Sequence, residues 1–240
     1  MNNNWIDIHN NLEFLNKKFT SKNTLSYLLY KVDHLKRQSG SYTIQKWKEN
    51  IDLIKSHFSR KKNLKILEIG CGTGAMLYCM QKHGKIFGID PSEEMLKIAK
   101  NKIPNGKFFL KKGHQIDFFK KNFFDVVLIY STVQYFPNLE YLKKIIKKIG
   151  KVLKRDGLVY IGDIPDIEKK NIIVKEKKKI LGYSNYKKNY LQKNLKHLYV
   201  KRSSIIKIME NGFYNLEIYN SKKRGTEKLG NRFDVFGYKK

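Results

Sequence analysis

Lys65-Ile66-Leu67-Glu68-Ile69-Gly70-Cys71-Gly72-Thr73-Gly74 is the stretch whose reading decides the fold. A short apolar run closing on an acidic residue, followed by three alternating glycines, reads as a buried strand entering a tight turn and then a helix. Glycine lets backbone approach a ligand where a side chain would collide, and the first turn of the next helix offers unpaired N–H groups. The residues from Gly70 to Ala75 also fit G-x-G-x-x-G/A, the dinucleotide pattern, so spacing alone leaves two nucleoside cofactors open. Asp90, ending the next apolar run, suits the ribose hydroxyls of either.

Outward from this turn, short apolar runs alternate with longer amphipathic stretches, which predicts a parallel sheet covered by helices. Strands are predicted over 65–69, 85–90, 107–110, 124–130 and 157–162, with a terminal pair over 213–219 and 233–238. Helices are predicted over 72–82, 92–102, 139–154 and 203–211, the last ended by Gly212. Residues 1–60 read as a helical cap: Leu12, Leu15 and Phe19 recur at helical spacing, as do Ile44, Trp47, Ile51, Ile54 and Phe58, with a joint at Gly40-Ser41. Residues 61–240 then form one α/β domain, in which 164–202, rich in lysine and tyrosine, is a helical or loop insertion on the acceptor side. A chain of 240 residues suits one such domain.

The net charge is +29, yet only six of the fifty basic residues are arginine. Arginine is the usual reader of phosphates and bases, so the lysine excess reads first as a solvated surface, with RNA as the alternative partner. Two cysteines, Cys71 and Cys79, are too few for a disulfide framework and wrongly spaced for zinc. No eighteen-residue apolar run and no secretory layout at Met1-Asn2-Asn3-Asn4-Trp5 point to a cytoplasmic protein without a membrane span.

The motifs together resemble class I S-adenosylmethionine-dependent methyltransferases. The acidic residue and G-x-G-x-G of Glu68 to Gly74 match that family's first motif at every position, and Gly88-Ile89-Asp90-Pro91-Ser92, before Met95 and Leu96, resembles its ribose motif. Phe124 to Ser131 looks like the strand lining the methionine end, and Leu153-Lys154-Arg155-Asp156-Gly157 like the turn before the fifth strand. The resemblance implies a doubly wound, mostly parallel seven-stranded sheet with an antiparallel C-terminal strand. It also implies S-adenosylmethionine as cofactor, held by Glu68, Gly70, Cys71, Gly72, Gly74, Asp90, Pro91, Met95, Tyr130 and Ser131. One element departs: where the family has Gly and an acid for the adenine amine, this chain has Gly113-His114-Gln115, so His114 and Gln115 are the candidates there.

Acceptors bind beyond the carboxyl ends of the strands, which selects Gln134 and Tyr135 to position the acceptor, His197 as general base and Asp163 to orient it. Tyr42 and Trp47 are further candidates for covering the cofactor, and Tyr183, Tyr186, Tyr190 and Tyr199 for stacking on a sugar ring. No Asn-Pro-Pro-Tyr follows the fourth strand, no cysteine lies on a catalytic loop, and no acidic cluster suggests magnesium. These absences disfavour adenine and glutamine amines, cytosine carbon and a metal-dependent reaction. Ser131 to Pro137, Gly162 to Asp166 and His197-Leu198-Tyr199 are similar to methyltransferases found with bacterial surface-polysaccharide genes. That similarity implies O-methylation of a sugar, a sugar nucleotide or a phosphorus-containing substituent. The alternatives are an RNA methyltransferase and a non-catalytic cofactor-binding module.

Overall fold

The computed structural model describes residues 24–33, 44–58, 63–187, 196–221 and 231–240. Its centre is a seven-stranded sheet in the order β3-β2-β1-β4-β5-β7-β6. The strands are β1 (Leu64–Ile69), β2 (Gly84–Asp90), β3 (Lys107–Leu110), β4 (Phe124–Tyr130), β5 (Leu153–Pro165), β6 (Phe213–Asn220) and β7 (Arg232–Lys239). The first five pair in parallel, and β7 runs antiparallel between β5 and β6. The order reverses between β1, the first strand, and β4, so the crevice at their carboxyl ends is the switch point where ligands of open α/β sheets bind.

Helices α1 (Thr24–Asp33), α2 (Ile44–Ser56), α3 (Ala75–Met80), α4 (Glu93–Lys102), α5 (Leu139–Val152), α6 (Lys170–Leu181), α7 (Tyr183–Tyr186) and α8 (Arg202–Met209) account for the described helical segments. One apolar cluster joins Leu28, Trp47, Ile54, Met76, Leu77, Leu96 and Tyr160 on one face of the sheet; a second joins Ile69, Val127, Leu142, Ile145, Ile161 and Met209 on the other. The helix α5 shows why its sequence folds this way. Leu142, Ile145, Ile146, Ile149 and Val152 recur on one stripe and are all buried, while Asn138 caps the start by accepting from the Tyr141 N–H at 2.9 Å.

Several boundaries differ from the sequence reading. The helix predicted over 72–82 is only Ala75–Met80 followed by a 3-10 turn, because Gly72 and Gly74 are left-handed at φ 51° and 81°. The fifth strand begins at Leu153 and runs to Pro165, since Leu153 pairs with Phe124 before an irregularity and β7 continues the ladder to Pro165. Segment 164–202 contains α6 and α7, and Val200 then returns to bridge Asp166. Leu12, Leu15, Phe19, Gly40, Ser41, Tyr42 and Tyr190 lie outside the described residues. Trp47 is a core side chain: it is 3% exposed, meets Tyr130 edge-on at 5.2 Å and belongs to the α2 stripe, not to a cofactor cover. Among the described residues no helix is long and apolar enough to cross a membrane, and no cluster of side chains has the makings of a metal site.

Candidate active site

The glycine turn is built to be bare. Gly70, Gly72 and Gly74 all have positive φ, and a Cβ on Gly70 would collide with the side chain of Thr132, whose Oγ1 would lie 2.6 Å away. Thr132 itself donates to the carbonyls of Gly70 and Tyr130, so the turn and the end of β4 are locked face to face. From the other side Thr73 Oγ1 donates to the Leu28 carbonyl at 3.2 Å, tying α1 to the turn.

Asp90 closes the site from β2. Its Oδ2 accepts from the Gly72 N–H at 2.9 Å and its Oδ1 from the Ser92 N–H at 2.8 Å. A carboxylate has about four acceptor positions, so both oxygens keep capacity for the two hydroxyls of a ribose. Burial pushes the Asp90 carboxyl up to about 6, with the two backbone donors pulling the other way. Cys71 lies beside it with its thiol held well above the usual range, by burial first and then by the Asp90 and Glu68 carboxylates, so it is a packing group and not a nucleophile. The residues fit a nucleoside whose sugar diol meets Asp90 and whose chain lies over Gly70 to Gly74.

The remaining cofactor candidates fall around this crevice. Glu68 and Met95 are buried, Pro91 is half-buried, and Tyr130 stacks on Tyr160 with centroids 6.2 Å apart. His114 and Gln115 occupy a 3-10 turn, Gly113–Phe118, just past β3. Gln115 Oε1 accepts from the Lys112 N–H at 2.8 Å, and the His114 imidazole bonds the Tyr141 hydroxyl at 2.9 Å. Burial, then Lys144 and Lys148, lowers the His114 pKa, which keeps this ring neutral.

Ser131 follows β4 and Asp163 lies near the end of β5, both in left-handed conformations, φ 54° and 59°. Such backbone is uncommon outside glycine and clusters at functional sites. The Ser131 hydroxyl donates to Asp163 Oδ2 at 2.5 Å. Sequence reasoning missed the group that organises this corner, Arg232. It is 3% exposed, donates to the Asp163 carbonyl and to Gln134 Oε1 at 2.9 Å each, and lies 3.4 Å from Asp163 Oδ2. The Asp163 N–H in turn donates to Asp234 Oδ1 at 2.8 Å. Two charges of opposite sign at alternate positions of the last strand, Arg232-Phe233-Asp234-Val235-Phe236, were the available signal, because charges buried on an inner strand need partners.

His197 sits on a segment laid across the strand ends: Leu198 N–H donates to the Gln134 carbonyl, and Val200 N–H to that of Pro165, at 2.9 Å each. Its ring meets Tyr135 edge-on at 5.6 Å, and its Nδ1 lies 3.1 Å from Lys177 Nζ. An ammonium has only donors, so the imidazole accepts at Nδ1 and carries its proton on Nε2. Gln134, Tyr135 and His197 are therefore brought together. The sequence reading has Asp163 orient His197; the described bonds of Asp163 run to Ser131, Arg232 and Asp234.

Comparison with known proteins bears on which cofactor the turn holds. A family model described as a methyltransferase domain matches residues 67–161. The chain is 30% identical over 195 residues to carboxy-S-adenosyl-L-methionine synthase from Nautilia profundicola, covering 72% of this chain and 80% of that protein. The chain belongs to the class I S-adenosylmethionine-dependent methyltransferases. This methyltransferase is also 33% identical over 121 residues to the ubiquinone/menaquinone biosynthesis C-methyltransferase UbiE of Campylobacter jejuni, covering 47% of this chain; it spans about half the length of that relative, 50%. Magnesium protoporphyrin IX methyltransferase from Synechocystis, solved with bound S-adenosylhomocysteine, shares the fold at a TM-score of 0.60 and 14% identity, over 91% of this chain and 100% of that one. Membership in this family makes S-adenosylmethionine the cofactor and resolves the ambiguity of the glycine spacing.

Proposed function

We propose that this methyltransferase transfers a methyl group to a hydroxyl of a small anionic acceptor: a sugar, a sugar nucleotide or a phosphorus-containing substituent of bacterial surface polysaccharide. The observation that carries the reading is segment 164–202, in which twelve lysine or arginine residues face three acids and whose end crosses β4 and β5 at His197. Lysines suit a phosphate or carboxylate, and Tyr183, Tyr186 and Tyr199 suit a sugar ring. The cofactor supplies an activated methyl group, and the protein's work is to hold the acceptor in line with it. Gln134, fixed by Arg232, and Tyr135 position the acceptor; His197 takes its proton at Nδ1 once Lys177 turns to the acceptor's anionic group. Asp163 acts on this site through Ser131. The helices α1 and α2 serve as a cap that braces the glycine turn through Leu28.

A second reading is favoured by the carboxy-S-adenosyl-L-methionine synthase, because that relative aligns with most of both chains. There the product, as the name states, is carboxy-S-adenosyl-L-methionine, a modified form of the cofactor itself. Incubation of cell extract with methyl-labelled cofactor, followed by mass spectrometry, separates the readings. Label in a sugar or sugar nucleotide supports O-methylation; label retained in a carboxylated nucleoside supports the second; label in RNA overturns both.

A further inference from the structure

Six phenylalanines interlock where β3 forms one edge of the sheet. Phe87 meets Phe119, Phe123 and Phe124 edge-on at 6.1, 5.5 and 5.3 Å. Phe109 meets Phe118 and Phe119 at 5.1 and 5.4 Å, and Phe118 lies against Phe119 at 4.0 Å. Phe87 and Phe124 are buried, Phe109, Phe119 and Phe123 are half-buried, and Phe118 is 45% exposed. The cluster thus runs from the core into water and ends on an aromatic ring left nearly half exposed.

Lysines surround this outcrop. Lys111 Nζ lies 5.8 Å from the Phe118 ring, Lys107 Nζ 6.0 Å from Phe87 and Lys65 Nζ 4.0 Å from Phe123. Lys107, Lys120 and Lys121 are exposed. The two acids nearest the rings in sequence are already engaged, Asp117 by Lys148 at 2.7 Å and Asp125 by Lys154 at 2.6 Å. The result is exposed aromatic surface rimmed by cations, with its neighbouring acids paired to other lysines. An aromatic ring gains by entering the headgroup boundary of a bilayer, and neighbouring lysines gain by meeting anionic lipid. A nucleic acid would use the lysines, but the patch holds no arginine to read it. Two copies of the chain meeting here would bring like-charged rims together.

We propose that this lysine-ringed phenylalanine surface docks the enzyme on a membrane surface containing anionic phospholipid. Leu110, at the end of β3, is the register partner of Asp90, and Phe118 closes the same 3-10 turn that carries His114 and Gln115. Docking would therefore set the cofactor end of the sheet beside the bilayer, whichever acceptor the enzyme uses.

The full chain is sedimented with vesicles of phosphatidylcholine alone and of phosphatidylcholine with one third phosphatidylglycerol. Binding is expected only to the second, weakening about tenfold on raising salt well above physiological strength. Phe118→Ser and the pair Lys120→Glu with Lys121→Glu each lower it about tenfold or more, whereas Lys201→Glu with Lys207→Glu, exposed at α8 beside β6 at the opposite edge of the sheet, removes the same charge and leaves most of it. Unchanged S-adenosylhomocysteine binding shows that each variant is folded. Equal loss from both lysine pairs, no sedimentation with either vesicle, or RNA binding that the Lys120 and Lys121 changes abolish in place of vesicle binding would overturn the proposal. So would a dimer in light scattering that Phe118→Ser dissociates.

Discussion

Arg232 reaches Gln134 across 98 residues of sequence, donating to its side-chain oxygen at 2.9 Å inside the protein. The same guanidinium holds the Asp163 carbonyl, so one side chain of the last strand ties the end of β5 to the turn after β4. Removing it leaves the Asp163 carboxylate buried without its cation. Arg232→Met is expected to cost about 3 to 5 kcal/mol, read as a lower urea midpoint at unchanged slope. Arg232→Lys keeps the charge but not the two-pronged geometry, so it recovers part of the stability while acceptor KM stays raised.

Asp90 makes cofactor binding dependent on pH. Its carboxyl titrates at about 6 in the free protein, and ribose hydroxyls donate to the ionised form. Binding of S-adenosylhomocysteine near pH 6 is therefore expected to release a proton and to weaken as pH falls, measured by calorimetry in buffers of different ionisation enthalpy. Asp90→Asn should weaken binding about 10- to 100-fold and abolish the proton release.

The same group sets a stability trend of opposite sense. Its folded pKa of about 6 lies above the ordinary carboxylate value of 3.8, so the folded protein binds the proton more tightly than the unfolded chain. That contribution is complete below about pH 4 and is lost as pH rises through about 6, up to about 3 kcal/mol in the ligand-free protein. Urea midpoints of wild type and Asp90→Asn across this window should converge at the acid end and separate above it.

Gly70→Ala tests the bare turn. The added methyl meets Thr132 and must also adopt φ 74°, which together cost about 2 to 4 kcal/mol. Thr132→Ala in the same chain should restore only the steric part, because the left-handed backbone remains. Equal stability of Gly70→Ala and wild type would show that the turn is not closed as described.

For the proposed base, His197→Gln should lower kcat about 100-fold or more with little change in S-adenosylhomocysteine affinity, and flatten the acidic limb of the pH profile. Lys177→Met should instead raise the acceptor KM more than it lowers kcat. A His197→Gln enzyme with an unaltered pH profile assigns proton transfer elsewhere.

Local pattern determined much of this protein. Alternation and glycine spacing placed the strands from β1 to β4, and the acidic end of β2 named Asp90, because each depends on neighbours a few residues away. The extent of β5 was not legible, since its first residues and its last are held by other strands, and neither was the core role of Trp47, which depends on where α2 docks.

The sequence alone determined the bare glycine turn and the carboxylate that closes it, since glycines that free the backbone and a carboxylate at a strand end carry their meaning in their own stretch of chain. Only the tertiary structure decided the neighbouring corner at the ends of β4 and β5, where Ser131, Gln134, Asp163, His197 and Arg232 come from distant segments. A buried charge is tolerated only beside a partner, and which partner it finds is set by the strand order that carries β7 against β5.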